Sequence, residues 1–333
     1  MENLIKLSEQ EKQEKLAKAK ASFEKKRKIA LEPKDTEKDS KNANRSISAD
    51  FVEQGNENEN LLVLDIKKIT SSANYQGKDN ISLTNLKSIA GDANFKKSGN
   101  ILLNNLESIG GDAHFYLSKV QDLSSLKTIG GGAFFGDSEV RDLSSLKTTG
   151  GQTNFEHCKI QNLSNLKSIG GSAYFRDSKV KDLSSLESIG GDADFSQSEV
   201  RDLSSLKTIG KNAYFRDSVV QDLSSLESIG GGANFSHSKV KDLSSLKTIG
   251  ESADFRHSKV KDLPSLEQVG YNIYLDLGEI PKMDKLQKCN RIVFEDSSNI
   301  LMLSLPEFRQ MESKLRQRKI RNNVQKIRDS LDR

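Results

Sequence analysis

Tryptophan is absent from this 333-residue sequence, and proline (4), methionine (4) and cysteine (2) are scarce. Two cysteines exclude a disulfide-stapled scaffold. No run of ~18 apolar residues occurs, which excludes a membrane-spanning helix. The opening MENLIKLSEQEKQEK has no apolar core segment, so a cleaved Sec-type signal peptide is not expected. Hydrophobic residues make up 34% and glycine adds 23 residues, a sum of about 41% that falls below an average globular domain. The net charge of +4 is too small by itself to imply nucleic acid.

What the sequence does have is a period of twenty. KVQDLSSLKTIGGGAFFGDS, starting at Lys119, is followed in step by EVRDLSSLKTTGGQTNFEHC and KIQNLSNLKSIGGSAYFRDS. Leu83, Leu103, Leu123 and their successors to Leu263 keep the step without an insertion, and a degenerate copy starts at Val63. Copies run from about 63 to 282. In one unit, Ala213, Phe215, Ser218, Val220, Leu223, Leu226 and Ile229 are the inward candidates. Ala-x-Phe has the period of a short strand, with Tyr214 pointing out. The three-residue steps that follow fit extended or 3₁₀-like backbone, and Gly-Gly pairs such as Gly190-Gly191 fit a sharp corner. One coil cannot bury its own apolar side, so neighbours must stack. Phe95 to Phe255, one per coil, would then form an inner spine with strands ~4.8 Å apart. Ser98, Ser118 and their equivalents, with Cys158 once, would meet buried loop amides.

This spacing is similar to that of leucine-rich repeat proteins of the short bacterial type, with Ala and Phe in the first two Leu positions and Ser in the Asn position. The L-x-x-L-x-x-I-G-G feature also resembles the L domains of receptor ectodomains. The resemblance implies a β-rich solenoid of about eleven coils with a parallel β-sheet face, flanked here by N- and C-terminal α-helices. Residues 1–32 read as a polar helix, with Ser8 and Glu11 at capping-box spacing. Residues 33–60 are nearly free of apolar side chains and read as a disordered linker. The solenoid spans 61–282. From 283 to 333 the repeat decays: Ile292 and Phe294 look like a strand slipped by one residue. Ser304 and Glu307 then have capping-box spacing ahead of a basic amphipathic capping helix.

The repeats vary on the outward side of the Ala-x-Phe strand and hardly at all in DLSSLKTIGG. Tyr, Arg and Phe are typical interface anchors, so His114, Tyr116, Phe134, Tyr174, Arg176, Asp194, Tyr214, Arg216, Asp254, Arg256 and Tyr274 form the candidate partner-binding face. The competing reading is a face held by its own cross-strand pairs, such as Arg176 with Asp194. His157, His237 and His257 share a repeat position but bring no third ligand, so polar corner residues are expected there rather than a metal site. No nucleophile motif and no P-loop occurs, and Cys289 sits in a decaying repeat with too little chain after it for the cysteine-dependent ligase of some repeat effectors. No enzyme activity and no cofactor are expected.

Between Arg309 and Arg333 nine Lys/Arg face three acidic residues. Arg316, Arg318, Lys319, Arg321, Lys326 and Arg328 are the candidate contacts of a basic helix with nucleic acid, an acidic surface or a partner helix; the competing reading is the solvated side of a cap. The expectation is a non-enzymatic protein-binding solenoid. Resemblance to bacterial repeat proteins implies an effector or virulence-associated binder, cytoplasmic or exported without a cleaved signal into a host cell. The alternative is a nucleic-acid accessory protein working through the basic helix. Partner identity and oligomeric state are not encoded in the pattern.

Overall fold

The computed structural model describes residues 61–276, 280–295 and 300–314. They wind into a β-solenoid of about 12 turns with very little helix. Because each turn takes 20 residues, like stacks on like: Ala133 pairs with Ala113 on one side and Thr153 on the other, and Phe134 with His114 and Asn154. The front sheet has 13 strands, running from Ala73–Asn74 to Ile300–Leu303. All are parallel except the last, so one parallel strand marks each turn.

The three-residue steps fit extended or 3₁₀-like backbone, and the structure takes the extended form on the back, where it builds a second sheet. An 11-stranded parallel sheet runs from Lys68–Ile69 to Gln268–Val269. Each of its strands is only two residues long. In Ser188–Ile189 the isoleucine is buried and the serine half-buried on the outer side. Amides on either side join neighbouring turns, as Lys207 N–H to the Glu187 carbonyl (2.9 Å) and Gly190 N–H to that of Ile169 (2.9 Å). A narrow third side begins as a three-stranded sheet and continues as single bridges such as Asp182↔Asp202.

The interior is a set of columns. Ala, Phe, Val, two Leu and Ile of each turn are buried. Tyr75 and the nine Phe from Phe95 to Phe255 stack with centroids 5.0–5.5 Å apart. That spacing is close to the strand separation, so the backbone sets the ring geometry. Burial pushes the Tyr75 phenol up to about 12. The serine column is buried but does not serve the loop amides as a set. Only Val120 N–H reaches a serine hydroxyl, that of Ser118 (3.2 Å). Ser98 and Ser118 share a bond, Ser198 donates to the Phe195 carbonyl, and the hydroxyls of Ser138, Ser178, Ser218 and Ser238 have no partner. Amides of these loops go instead to carbonyls, as Lys119 N–H to Ser98 (2.9 Å). The column selects for small size, which is why Cys158 fits; burial lifts its thiol to about 11.

Two tight turns shape each coil. In DLSSL the Asp caps the turn: Asp222 Oδ1 accepts the Ser224 N–H (2.8 Å), and Leu226 N–H reaches the Leu223 carbonyl (2.9 Å). The turn after the front strand places one residue in the left-handed region. Gly77 holds this position first, followed by Lys97, Leu117, Asp137, His157, Asp177, Gln197, Asp217, His237 and His257, with φ between 52° and 56°. Asp and His tolerate that conformation better than most residues, which accounts for the shared histidine position.

The corner glycines answer a different need. Only Gly77 among the described glycines has positive φ. A Cβ on Gly190 would lie 2.1 Å from the Gly170 carbonyl oxygen of the preceding turn. The first glycine of each pair is therefore required by close stacking of backbones, rather than by the bend the sequence suggests. The second is less strictly kept, since Lys211, Glu251 and Tyr271 take its place in three turns.

At the C-terminal end Arg291–Glu295 pairs with Asn272–Leu275 through Ile273↔Ile292, an offset of 19 that matches the one-residue slip expected. The edge strand Ile300–Leu303 turns back antiparallel. Residues 305–314 are helical. The Glu307 carboxylate accepts the Ser304 N–H (2.8 Å) and hydroxyl (2.7 Å), forming the predicted N-terminal cap. Phe308 packs on Phe294, and Arg309 donates to the Met283 and Leu286 carbonyls (2.7 and 3.1 Å), closing the last coil. The predicted helix 1–32, linker 33–60 and helix beyond 314 lie outside the described residues.

Candidate functional site

The candidate site is the outer side of the front sheet. Its columns are set by the two-residue alternation of the strands, which turns residues 94, 114, 134 and their successors outward. The structure divides this column by use. Asn74, Asn94, Asn154, Asp194, Asn234 and Asp254 each accept, through Oδ1, the backbone N–H two residues on, at 2.9–3.2 Å. This is the Asx geometry that caps a turn. Asp194 and Asp254, both predicted as partner contacts, thus serve the fold. Asp194 is bonded to the Ser196 N–H, and Arg176 lies by Asp177 (3.7 Å) instead, so the Arg176–Asp194 pair of the competing reading is not formed. The reason is distance along the chain: the turn amide and Asp177 are nearer than the neighbouring rung.

His114, Phe134, Tyr174, Tyr214 and Tyr274 occupy the same column with side chains that cannot cap the turn in this way. Tyr274 is used at the solenoid end. Arg256 lies over its ring (5.4 Å from the centroid), holds Asp254 through two bonds (3.0 and 2.8 Å) and reaches Glu295. Hydrogen bonding to Asp254 keeps the Arg256 guanidinium firmly charged. Predicted contacts Arg256 and Tyr274 are therefore tied to the C-terminal closure.

The remaining residues form two groups. In the first, His114 stacks on Phe134 with centroids 4.9 Å apart and rings 6° from parallel. Burial, reinforced by Lys96, lowers the His114 pKa, which favours the neutral imidazole. Two glycines shape this group. A Cβ on Gly132 would lie 2.8 Å from the Phe134 ring, and one on Gly136 would crowd the Asn154 Oδ1 at 3.2 Å while only touching the Tyr116 ring at 3.6 Å. Tyr116 and Leu117 are 43% and 44% exposed. Leu117 was not among the sequence-predicted residues. The signal was present: an apolar residue in a column otherwise filled by Asp, His, Gln, Lys or Gly. In the second group Tyr174 and Tyr214 flank Asp194 in register, and Tyr214 is 40% exposed. Burial raises the Tyr214 phenol, with nearby Asp192 and Asp194 adding to it. Arg176 and Arg216 extend beside them, each by the aspartate of its own turn at 3.7 and 3.4 Å, with side chains 57% and 63% exposed.

Other sites are poorer in chemistry. His237 and His257 are tilted against each other at 4.6 Å, and Asp276 lies 3.5 Å from His257 Nδ1. Among the described residues no group of three or more His, Cys, Asp or Glu is placed to hold a metal ion. An open groove of about 650 Å³ runs over the back sheet along Ser108, Thr128 and Thr148 and the corner glycines. No described helix is long and apolar enough to cross a membrane. Arg316, Arg318, Lys319, Arg321, Lys326 and Arg328 lie outside the described residues. Arg309, the first cation of the basic stretch, is used in the cap.

The fold defines a repeat solenoid with about 20-residue periodicity, a class often used for protein interaction. No family model, no curated protein and no solved structure matches the chain.

Proposed function

We propose that this chain is a non-enzymatic binding protein that presents the outer side of its front sheet to a protein partner. One observation carries the reading. On a column where Asn and Asp cap turns, four rungs carry His114, Phe134, Tyr174 and Tyr214 instead, with Tyr116, Arg176 and Arg216 beside them. Their side chains give up a local hydrogen bond and bring residue types that anchor interfaces. The mechanism is rigid presentation. The ordering entropy of the rungs is lost on folding, so binding loses little more.

We also propose kinship with short leucine-rich repeats of bacteria. On that resemblance, the protein is an effector or virulence-associated binder, cytoplasmic or delivered to a host cell without a cleaved signal. The test is capture of partners by the full chain and by Tyr174→Ala/Tyr214→Ala, with and without nuclease. The reading requires a protein partner that survives nuclease and is lost with the tyrosines. Capture that vanishes with nuclease and falls steeply with salt would replace it with the nucleic-acid reading.

A further inference from the structure

We propose that the edge strand Ile300–Leu303 pairs antiparallel with the same strand of a second copy of this chain. The strand is the outermost of the 13-stranded front sheet. Its inner edge is bonded to Arg291–Glu295, with Phe294 opposite Leu301 and Val293 opposite Met302. No described residue pairs with its outer edge. Such an edge presents a row of free N–H and C=O groups, and the group that satisfies them is another strand.

The side chains say which strand. Ile300, Leu301 and Met302 are 61%, 40% and 58% exposed, while Ile292 and Phe294 on the neighbouring strand are fully buried. The sequence Ile-Leu-Met-Leu holds no charge and no proline, the usual devices that keep an edge from pairing. Self-pairing also fits the alternation of side chains. A two-fold axis perpendicular to the sheet through Leu301 sets Leu301 opposite the partner's Leu301, and Ile300 opposite the partner's Met302. Directly opposed residues share a face of the sheet. Ile300 and Met302 of both copies thus join in one apolar cluster beside Val293. No like charges meet: the strand is uncharged, and Glu295, opposite Ile300, is paired with Arg256. The interface is isologous, so it closes at two copies.

The proposal is separate from the binding face in position: it uses the last edge of the sheet, beyond Tyr274, although Ile300 and Met302 lie on the same outer side as Val293 and Tyr274. Sedimentation velocity of the full chain over about 1–100 μM should show concentration-dependent growth from the 36.9 kDa chain to twice that mass. Ile300→Lys/Met302→Lys places lysine opposite lysine in the pair and should weaken dimerisation at least about tenfold, with an unchanged thermal midpoint at concentrations where the parent chain is monomeric. Leu301→Cys should cross-link to its own mate on oxidation, since opposed strand positions suit a disulfide. A chain that stays monomeric throughout, a dimer indifferent to the two lysines, or a Leu301→Cys protein that dimerises without cross-linking would overturn the assignment.

Discussion

Among the described residues ten non-glycine residues have positive φ, nine of them in one repeat position. Each sits where glycine would be unstrained, as Gly77 is. Gln197 lacks the local tolerance of Asp or His, so Gln197→Gly should raise stability by about 0.5–1 kcal/mol. Asp177→Gly should be near neutral; chemical denaturation of the two variants measures the contrast. A second residue-scale feature is the turn in which Ile and Ala of the consensus are both Thr. Thr149 and Thr153 hydroxyls bond to each other at 2.7 Å in the buried interior. Thr149→Ile alone strands the Thr153 hydroxyl and should cost about 1–3 kcal/mol. Thr149→Ile/Thr153→Ala restores the apolar pair and should recover most of that loss. A double-mutant cycle reads the coupling; additive effects would mean that the two hydroxyls act independently.

At the scale of strands and turns, ladders join the coils. Lys127 donates to Glu107 (2.7 Å) and Lys207 to Glu187 (2.9 Å) along the back sheet, and Lys179 to Glu199 (2.6 Å) elsewhere. These hydrogen bonds hold the three carboxyls below their ordinary value of 4.5. A carboxyl with a lowered folded pKa contributes stability above its unfolded pKa and loses it as pH falls through the folded one. Thermal stability should therefore drop on acidification from about pH 5 toward pH 2. Being exposed, the pairs are individually weak. Lys207→Gln should reduce the drop by a small amount at low salt and by less at high salt, as melting curves at the two pH values would record.

The front strands, the Phe spine and the Ser304–Glu307 cap are legible in the sequence because each rests on a pattern the period repeats or a known spacing. The back sheet is not. Its Ser188–Ile189 strands are two residues long, and the every-third spacing of Leu183, Leu186 and Ile189 masks their alternation. The double use of the outward column is equally hidden. Asp194 and Tyr174 share an outward position, and the bond from the Ser196 amide shows that Asp194 is used to cap its turn. The shared position of His157, His237 and His257 reads as polar corner residues, and their left-handed backbone supplies the cause.

On the scale of the whole molecule, the proposed function assigns stability and recognition to different residues. Inward Ala, Phe, Leu and Ile, capping Asn and Asp, and corner glycines bind turn to turn. The exposed tyrosine and arginine residues of the middle turns, Tyr174, Tyr214, Arg176 and Arg216, are assigned to binding in that proposal. A solenoid of this kind loses stability when a coil is damaged and is indifferent to exposed positions. Separation of the two roles is the central claim, and one paired measurement tests it: thermal unfolding and partner capture of Tyr174→Ala/Tyr214→Ala beside the parent chain. The account predicts an unchanged midpoint, with stability shifted by less than about 0.5 kcal/mol, together with loss of the captured protein. A lowered midpoint with capture retained would contradict it and place these tyrosines among the residues that hold the coils together.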